Sequence, residues 1–187
     1  MPGILFICTG NTCRSSMAAA IASRIKDERG LDIAIASAGL AAREGDPATP
    51  EAIQALAAMG INLQDHRARQ VTGALVEDAD LILTMTRSHK EFLLQFYPAA
   101  RGKTFTLKEY VRKGEEKPSR EELREEAGAK AAAGEQSASV DDDIPDPFGR
   151  PLEIYQATAR ELASLIGQAL EKYTQDTHAA NPAPSEG

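Results

Sequence analysis

Cysteine is nearly absent from this chain: Cys8 and Cys13 are its only two in 187 residues, and they lie close together in one short stretch. Such a pair builds no disulfide framework, and the compartment expected from it is the reducing cytoplasm. Histidine is also scarce. Three scattered residues make no ligand cluster, so neither a metal nor another cofactor is expected. No apolar run approaches the roughly 18 residues that suggest a membrane-spanning helix, and no basic-then-apolar leader precedes the first strand. Basic charge is not in excess either. A net charge of −7 argues against nucleic-acid or membrane-surface partners. The chain also lacks a Gly-Lys-Ser/Thr loop ending and a Gly-x-Gly-x-x-Gly run, the marks of nucleotide binding.

What is present is concentrated at the start. The apolar run Ile4-Leu5-Phe6-Ile7 leads directly into Cys8-Thr9-Gly10-Asn11-Thr12-Cys13-Arg14-Ser15. A buried strand that enters a loop bracketed by Cys and Arg, followed by a helix, can build a phosphate-cleaving site. Successive backbone N–H groups can turn inward as a nest for an anion, with Gly10 expected to supply the unusual dihedrals. The following helix adds its positive N-terminal end. Arg14 offers a planar fork that matches two phosphoryl oxygens. In such a positive bowl Cys8 is expected to be a thiolate nucleophile.

At 187 residues, 42% hydrophobic and 26% charged, the chain fits one soluble domain. Strands and helices alternate, which predicts an α/β fold with a parallel sheet. Strands are expected over 3–7, 33–37, 81–85 and 104–107. Helices are expected over 16–29, after the Thr49-Pro50 cap, after Thr72, over 88–96 and over 152–173. Residues 113–143 interrupt this pattern with the charged Arg120-Glu121-Glu122-Leu123-Arg124-Glu125-Glu126 and a low-complexity Ala-rich stretch. They read as an exposed, partly disordered insertion, the alternative being a lid or partner-binding arm. One domain over 1–175 and a disordered tail over 176–187 complete the expected organisation.

Cleaving a phosphoryl group also needs an acid for the leaving group. The candidate is Asp146, in Asp143-Ile144-Pro145-Asp146-Pro147-Phe148-Gly149, where Pro147 restricts the backbone of its neighbour. Taken together, Cys8 to Ser15, Ser37-Ala38-Gly39, His66-Arg67-Ala68-Arg69-Gln70-Val71-Thr72, Asp80-Leu81-Ile82-Leu83-Thr84-Met85 and Asp146-Pro147-Phe148 resemble the low-molecular-weight protein tyrosine phosphatase family, in family order. The resemblance implies a four-stranded parallel sheet flanked by helices, of the doubly wound type, and a phospho-cysteine intermediate. It implies Cys8 as nucleophile, Arg14 as phosphate clamp and Asp146 as acid and later base. Thr9, Gly10, Asn11, Thr12, Cys13, Ser15 and Phe148 would bind substrate. Asn11, Ser15 and Ser37 would hold the loop open by hydrogen bonds. Phosphorylated proteins are the implied partners, and a monomer is expected.

Within that family the chain looks most like the bacterial protein arginine phosphatases. Tyrosine-specific members usually carry a branched apolar residue in place of Thr12 and often a Tyr in place of Phe148. Thr104-Phe105-Thr106-Leu107-Lys108-Glu109-Tyr110-Val111 and Ile154-Tyr155-Gln156 continue the likeness to the arginine branch, where the threonine suits a guanidinium. A general tyrosine phosphatase is the alternative, and His66-Arg67-Ala68-Arg69-Gln70 is closer to that wider family. Ser16 departs from the family's usual Pro, and Ala19-Ala20 stand where a Glu often follows. A thiol-coupled arsenate reductase would need a relay of further cysteines, and beyond Asp78 there are none. A purely phosphoprotein-binding module would lack the nucleophile or the acid.

Overall fold

The six residues of β1, Gly3–Cys8, are all buried, because this strand lies inside the sheet and is covered on both faces. The computed structural model describes residues 3–115 and 142–180. The other strands are β2 (Ala34–Gly39), β3 (Leu81–Thr84) and β4 (Thr104–Thr106), in the order β2-β1-β3-β4. All the pairings are parallel. Side chains alternate across the sheet with period two. Ile4, Phe6 and Cys8 therefore join one core, while Leu5 and Ile7 join the other.

The first core is closed by α1 (Arg14–Arg29), α2 (Pro50–Ala57), α5 (Leu107–Glu115) and α6 (Leu152–Ala180). The second is closed by α3 (Gly73–Asp78) and α4 (Arg87–Phe96). The order of the strands reverses at β1, so the chain leaves β1 and its neighbours in different directions and opens a crevice at their carboxyl ends. The loop after β1 sits there.

Local chemistry sets the helix limits. Gly30 takes the left-handed conformation at φ 64° and ends α1, as its position after the apolar pattern predicts. The hydroxyls of Thr49, Thr72 and Thr86 accept from Ala52, Leu75 and His89 N–H groups and so cap α2, α3 and α4. Along α6, Tyr155, Ala159, Leu162, Ile166, Ala169 and Tyr173 form a buried stripe at helical spacing, while Leu165 is only partly buried.

Three boundaries differ from the sequence reading. Leu107 begins a helix and does not end a strand, because Thr106 and Glu109 form a reciprocal capping box: Glu109 N donates to Thr106 Oγ1 and Thr106 N to Glu109 Oε2, both at 3.1 Å. The last helix runs on to Ala180, so the tail expected to be disordered from residue 176 begins as helix. No Gly or Pro interrupts it there, and the Tyr110 hydroxyl donates to Asp176 at 3.4 Å. At the supposed insertion, Lys113–Glu115 belong to α5, while Asp142 is buried and Asp143 is hydrogen-bonded. The charged and Ala-rich stretches read there lie outside the described residues.

Candidate active site

The turn out of β1 depends on Asn11. Its φ of 57° makes it the non-glycine residue in the left-handed region among those described. The positive φ expected at Gly10 falls on Asn11, whose short amide tolerates it and whose hydrogen bonds hold it there. Asn11 Nδ2 donates to Ser15 Oγ and to Ser37 Oγ, both at 2.9 Å. Its Oδ1 accepts from Arg69 N at 3.0 Å. Its backbone carbonyl can only accept, so the 2.6 Å contact fixes His66 as donor through Nε2. Arg69 Nε adds a bond to Ser37 O at 2.8 Å. A fully satisfied buried network of this kind makes the loop rigid.

Ser15 passes that order on to Cys8. Its oxygen accepts from Asn11, and the Cys8 sulfur lies 2.9 Å away, closer than the Ala38 carbonyl at 3.5 Å. The hydroxyl and the sulfur are thereby hydrogen-bonded to each other. α1 starts at Arg14, so its N-terminal end closes the same bowl. Ser16, in the position usual for Pro, donates to Cys13 O at 2.8 Å and ties the first turn to the loop by a hydrogen bond in place of a ring.

Arg14 is nearly fully buried and reaches across to the segment before α6. Nη1 donates to Ile144 O at 3.1 Å, and Nη2 donates to Asp146 Oδ2 at 2.6 Å. Its Nε is buried without a hydrogen-bond partner. Asp146 is half-exposed, and its other oxygen accepts from Phe148 N at 3.1 Å. Pro147 lies between them and is buried, which sets the angle of the carboxylate.

The loop contributes Cys8, Thr9, Gly10, Thr12, Cys13 and Arg14 to a cavity of about 240 Å³, and Asp146 and Phe148 form its other wall. Asn11, Ser15 and Ser37 do not line it. The left-handed turn at Asn11 aims its amide at the back of the loop, where it is hydrogen-bonded to Ser15 and Ser37. Phe148 is largely exposed at the rim.

Sequence reasoning missed several supports. His89 Nε2 meets Thr9 Oγ1 at 2.8 Å, and burial followed by the nearby Arg14 charge holds its imidazole down at about 4, neutral near neutral pH. Nothing in the sequence links it to a loop 80 residues earlier. His66 and Arg69 lie in a quoted motif, yet their hydrogen bonds to Asn11 and Ser37 follow only from the fold. Cys13 is held from three sides, with Thr49 Oγ1 at 3.6 Å, Thr12 Oγ1 at 3.7 Å and Tyr155 Oη at 3.8 Å, and burial pushes its thiol upward. Among the described residues no group of His, Cys, Asp and Glu converges as a metal site requires.

Gly39 is where the end of β2 touches the loop. A Cβ there would lie 2.5 Å from Thr9 O and 3.0 Å from Asn11 N, closer than packed atoms allow. Gly39→Ala is therefore expected to push the loop away, costing about 1–3 kcal/mol of stability. Thermal unfolding and phosphate affinity measured together check this: unchanged values for both would mean that the loop gives way freely.

With this geometry in place, the comparisons are specific. The family model for low molecular weight phosphotyrosine protein phosphatase matches residues 3–122. The chain is 36% identical over 173 residues to the protein-arginine-phosphatase of Bacillus subtilis (strain 168), covering 92% of this chain and 97% of that one. Its structure is similar to that of YwlE arginine phosphatase, solved as a cysteine-to-serine mutant with a phosphorylated active site serine. The TM-score is 0.75 at 36% identity, with 93% of this chain and 97% of that one covered. It is also similar to the low molecular weight protein tyrosine phosphatase from T. tengcongensis, with TM-score 0.75, 38% identity and coverage of 92% and 99%.

Proposed function

The chain belongs to the low molecular weight phosphotyrosine protein phosphatase family, and from that footing we propose that it removes phosphoryl groups from arginine side chains of proteins. Cys8 Sγ attacks phosphorus, the P–N bond breaks, and Asp146, which takes up a proton once the phosphoryl group has displaced it from Arg14, gives that proton to the departing guanidine nitrogen. The phosphoryl group then resides on Cys8. Asp146, now a carboxylate, takes a proton from water, the water oxygen bonds to phosphorus, and the S–P bond breaks to release phosphate and restore the thiolate. Ser15 steadies the sulfur charge, while Arg14 and the loop amides hold the phosphoryl oxygens. Thr9, Gly10, Thr12, Cys13 and Phe148 form the surrounding wall.

Several observations support these roles. Ser15 Oγ lies 2.9 Å from Cys8 Sγ, and Asp146 lies across the same cavity. In the YwlE relative, the serine that replaces cysteine carries a phosphoryl group. The same geometry would place a phosphoryl group on a serine at position 8 here. The enzyme is proposed to act in the cytoplasm as a monomer. Both thiols are free, and no helix among the described residues is long and apolar enough to cross a membrane.

One observation carries the choice of arginine: Thr12, with its hydroxyl, lines the cavity beside the nucleophile. A phosphoarginine presents a planar hydrogen-bonding group next to phosphorus, whereas a phosphotyrosine presents an apolar ring. The tyrosine reading draws support from the T. tengcongensis relative. Thr12→Ile separates the two. It should lower the rate on phosphoarginine peptides and raise it on matched phosphotyrosine peptides, shifting the ratio roughly 10–200-fold. If the unmodified enzyme prefers phosphotyrosine, or both rates move in parallel, the tyrosine reading takes its place.

A further inference from the structure

An acid that rides on a surface loop works only if the base of the loop is fixed. We propose that Asp142 is a positioning residue for Asp146: gripped by Arg87 from α4 and Arg112 from α5, it anchors the stem of the loop that carries the acid. This rests on Asp146 being the general acid.

Asp142 is 7% exposed, a costly place for a carboxylate unless cations pay the desolvation. Two do. Arg87 Nη2 donates to Oδ2 at 3.0 Å, while Arg112 Nη1 donates to Oδ1 and its Nη2 to Oδ2 at 3.4 Å. The hydrogen bonds from Arg112 hold this carboxyl below its usual range. One side chain thus joins the first turn of α4 to the last turns of α5.

The next two residues continue the attachment. Asp143 Oδ1 accepts from the Arg87 backbone N–H at 2.7 Å, and its carbonyl accepts from Lys108 at 2.8 Å. Ile144 N donates to Met85 O at 2.8 Å, and its side chain is buried in the core. Its carbonyl takes the bond from Arg14 Nη1. Asp146 lies two residues further on, half-exposed, with the bonds to Arg14 and to Phe148 N. During turnover the bond to Arg14 must be exchanged for substrate, so at that moment the acid depends on its stem for position. Asp142 stands four residues before the acid and is held by charged side chains of two separate helices, so it fixes the backbone from which the chain continues to Asp146.

The experiment compares Asp142→Asn, Asp142→Glu and Arg87→Gln with the unmodified enzyme. The substrates are one phosphate ester with a poor leaving group and one activated aryl phosphate. A misplacement of about 1 Å costs on the order of 100-fold when geometry is critical. Asp142→Asn is expected to lower kcat on the poor leaving group roughly 10–100-fold and on the aryl phosphate several-fold less, with little change in KM. Asp142→Glu should recover part of the loss. In an Asp146→Asn background, Asp142→Asn should cost nothing more, because the two act through one proton. If Asp142→Asn fails to fold, Arg87→Gln carries the same test, since Arg112 stays on the carboxylate. Equal losses on both substrates, or losses that add to those of Asp146→Asn, would reduce Asp142 to a stabilising ion pair and overturn the proposal. If Asp146→Asn is itself indifferent to the leaving group, the acid assignment fails. If only the Asp142 variants are indifferent, the clamp fails alone.

Discussion

Cys8→Ser is expected to lower turnover by roughly 10⁴-fold or more while leaving phosphate and vanadate binding intact. The loop does not owe its shape to the sulfur. Asn11 is bonded to Ser15, Ser37, Arg69 and His66, and none of these contacts involves Cys8. Arg14 is likewise held by Ile144 and Asp146. The anion site should therefore survive, and what is lost is sulfur as nucleophile and later as leaving group. An alkoxide is a much poorer leaving group than a thiolate, so any phosphoryl group that reaches the serine should stay there. Steady-state rates, calorimetry with phosphate and intact-mass spectrometry check the three parts. Full activity in Cys8→Ser would remove the covalent mechanism.

Asp146→Asn is the second large effect, and its size depends on the substrate. General acid catalysis contributes about 10²–10⁴-fold where the leaving group needs a proton. A loss in that range is expected on phosphoarginine peptides, and a much smaller one on activated aryl phosphates. Ground-state binding should move the other way. Arg14 now donates to a carboxylate at 2.6 Å, which an incoming phosphoryl group has to displace. A neutral amide at position 146 weakens that competition, so inorganic phosphate should inhibit the variant at least as well as the parent. A uniform loss on both substrates would show that Asp146 is not the acid.

The central parts of the site were legible because they are local. An apolar run, a Cys-x5-Arg loop and the start of a helix lie within one short segment, and each states its chemistry in sequence. The order of strands and helices was legible for the same reason, since apolar periodicity and the Thr caps mark most of them. Leu107–Glu115 was missed although its signal was present: Thr106 and Glu109 are spaced as a capping box, directly after the strand-favouring Thr104-Phe105-Thr106. The distant supports of the loop were not legible, while Asn11, Ser15 and Ser37 came only with the family resemblance. His89, Arg69 and Tyr155 reach it only after the sheet and the last helix are assembled, and no spacing rule covers such distances. Gly10 shows the limit on the other side. Glycine is the usual residue for a positive φ, yet an Asn with four bonds to its amide and carbonyl takes that turn here.

Tyr155 touches Cys13 across 142 positions, and Arg14 meets Asp146 across 132. The chain is synthesised from its N-terminus, so the phosphate nest leaves the ribosome well before its acid. Contacts of such long sequence separation are also slow to form. A nascent chain therefore contains Cys8 and Arg14 long before it contains the acid they work with. Hydrolysis waits on the segment that carries Asp146, which makes activity a report on the assembled site.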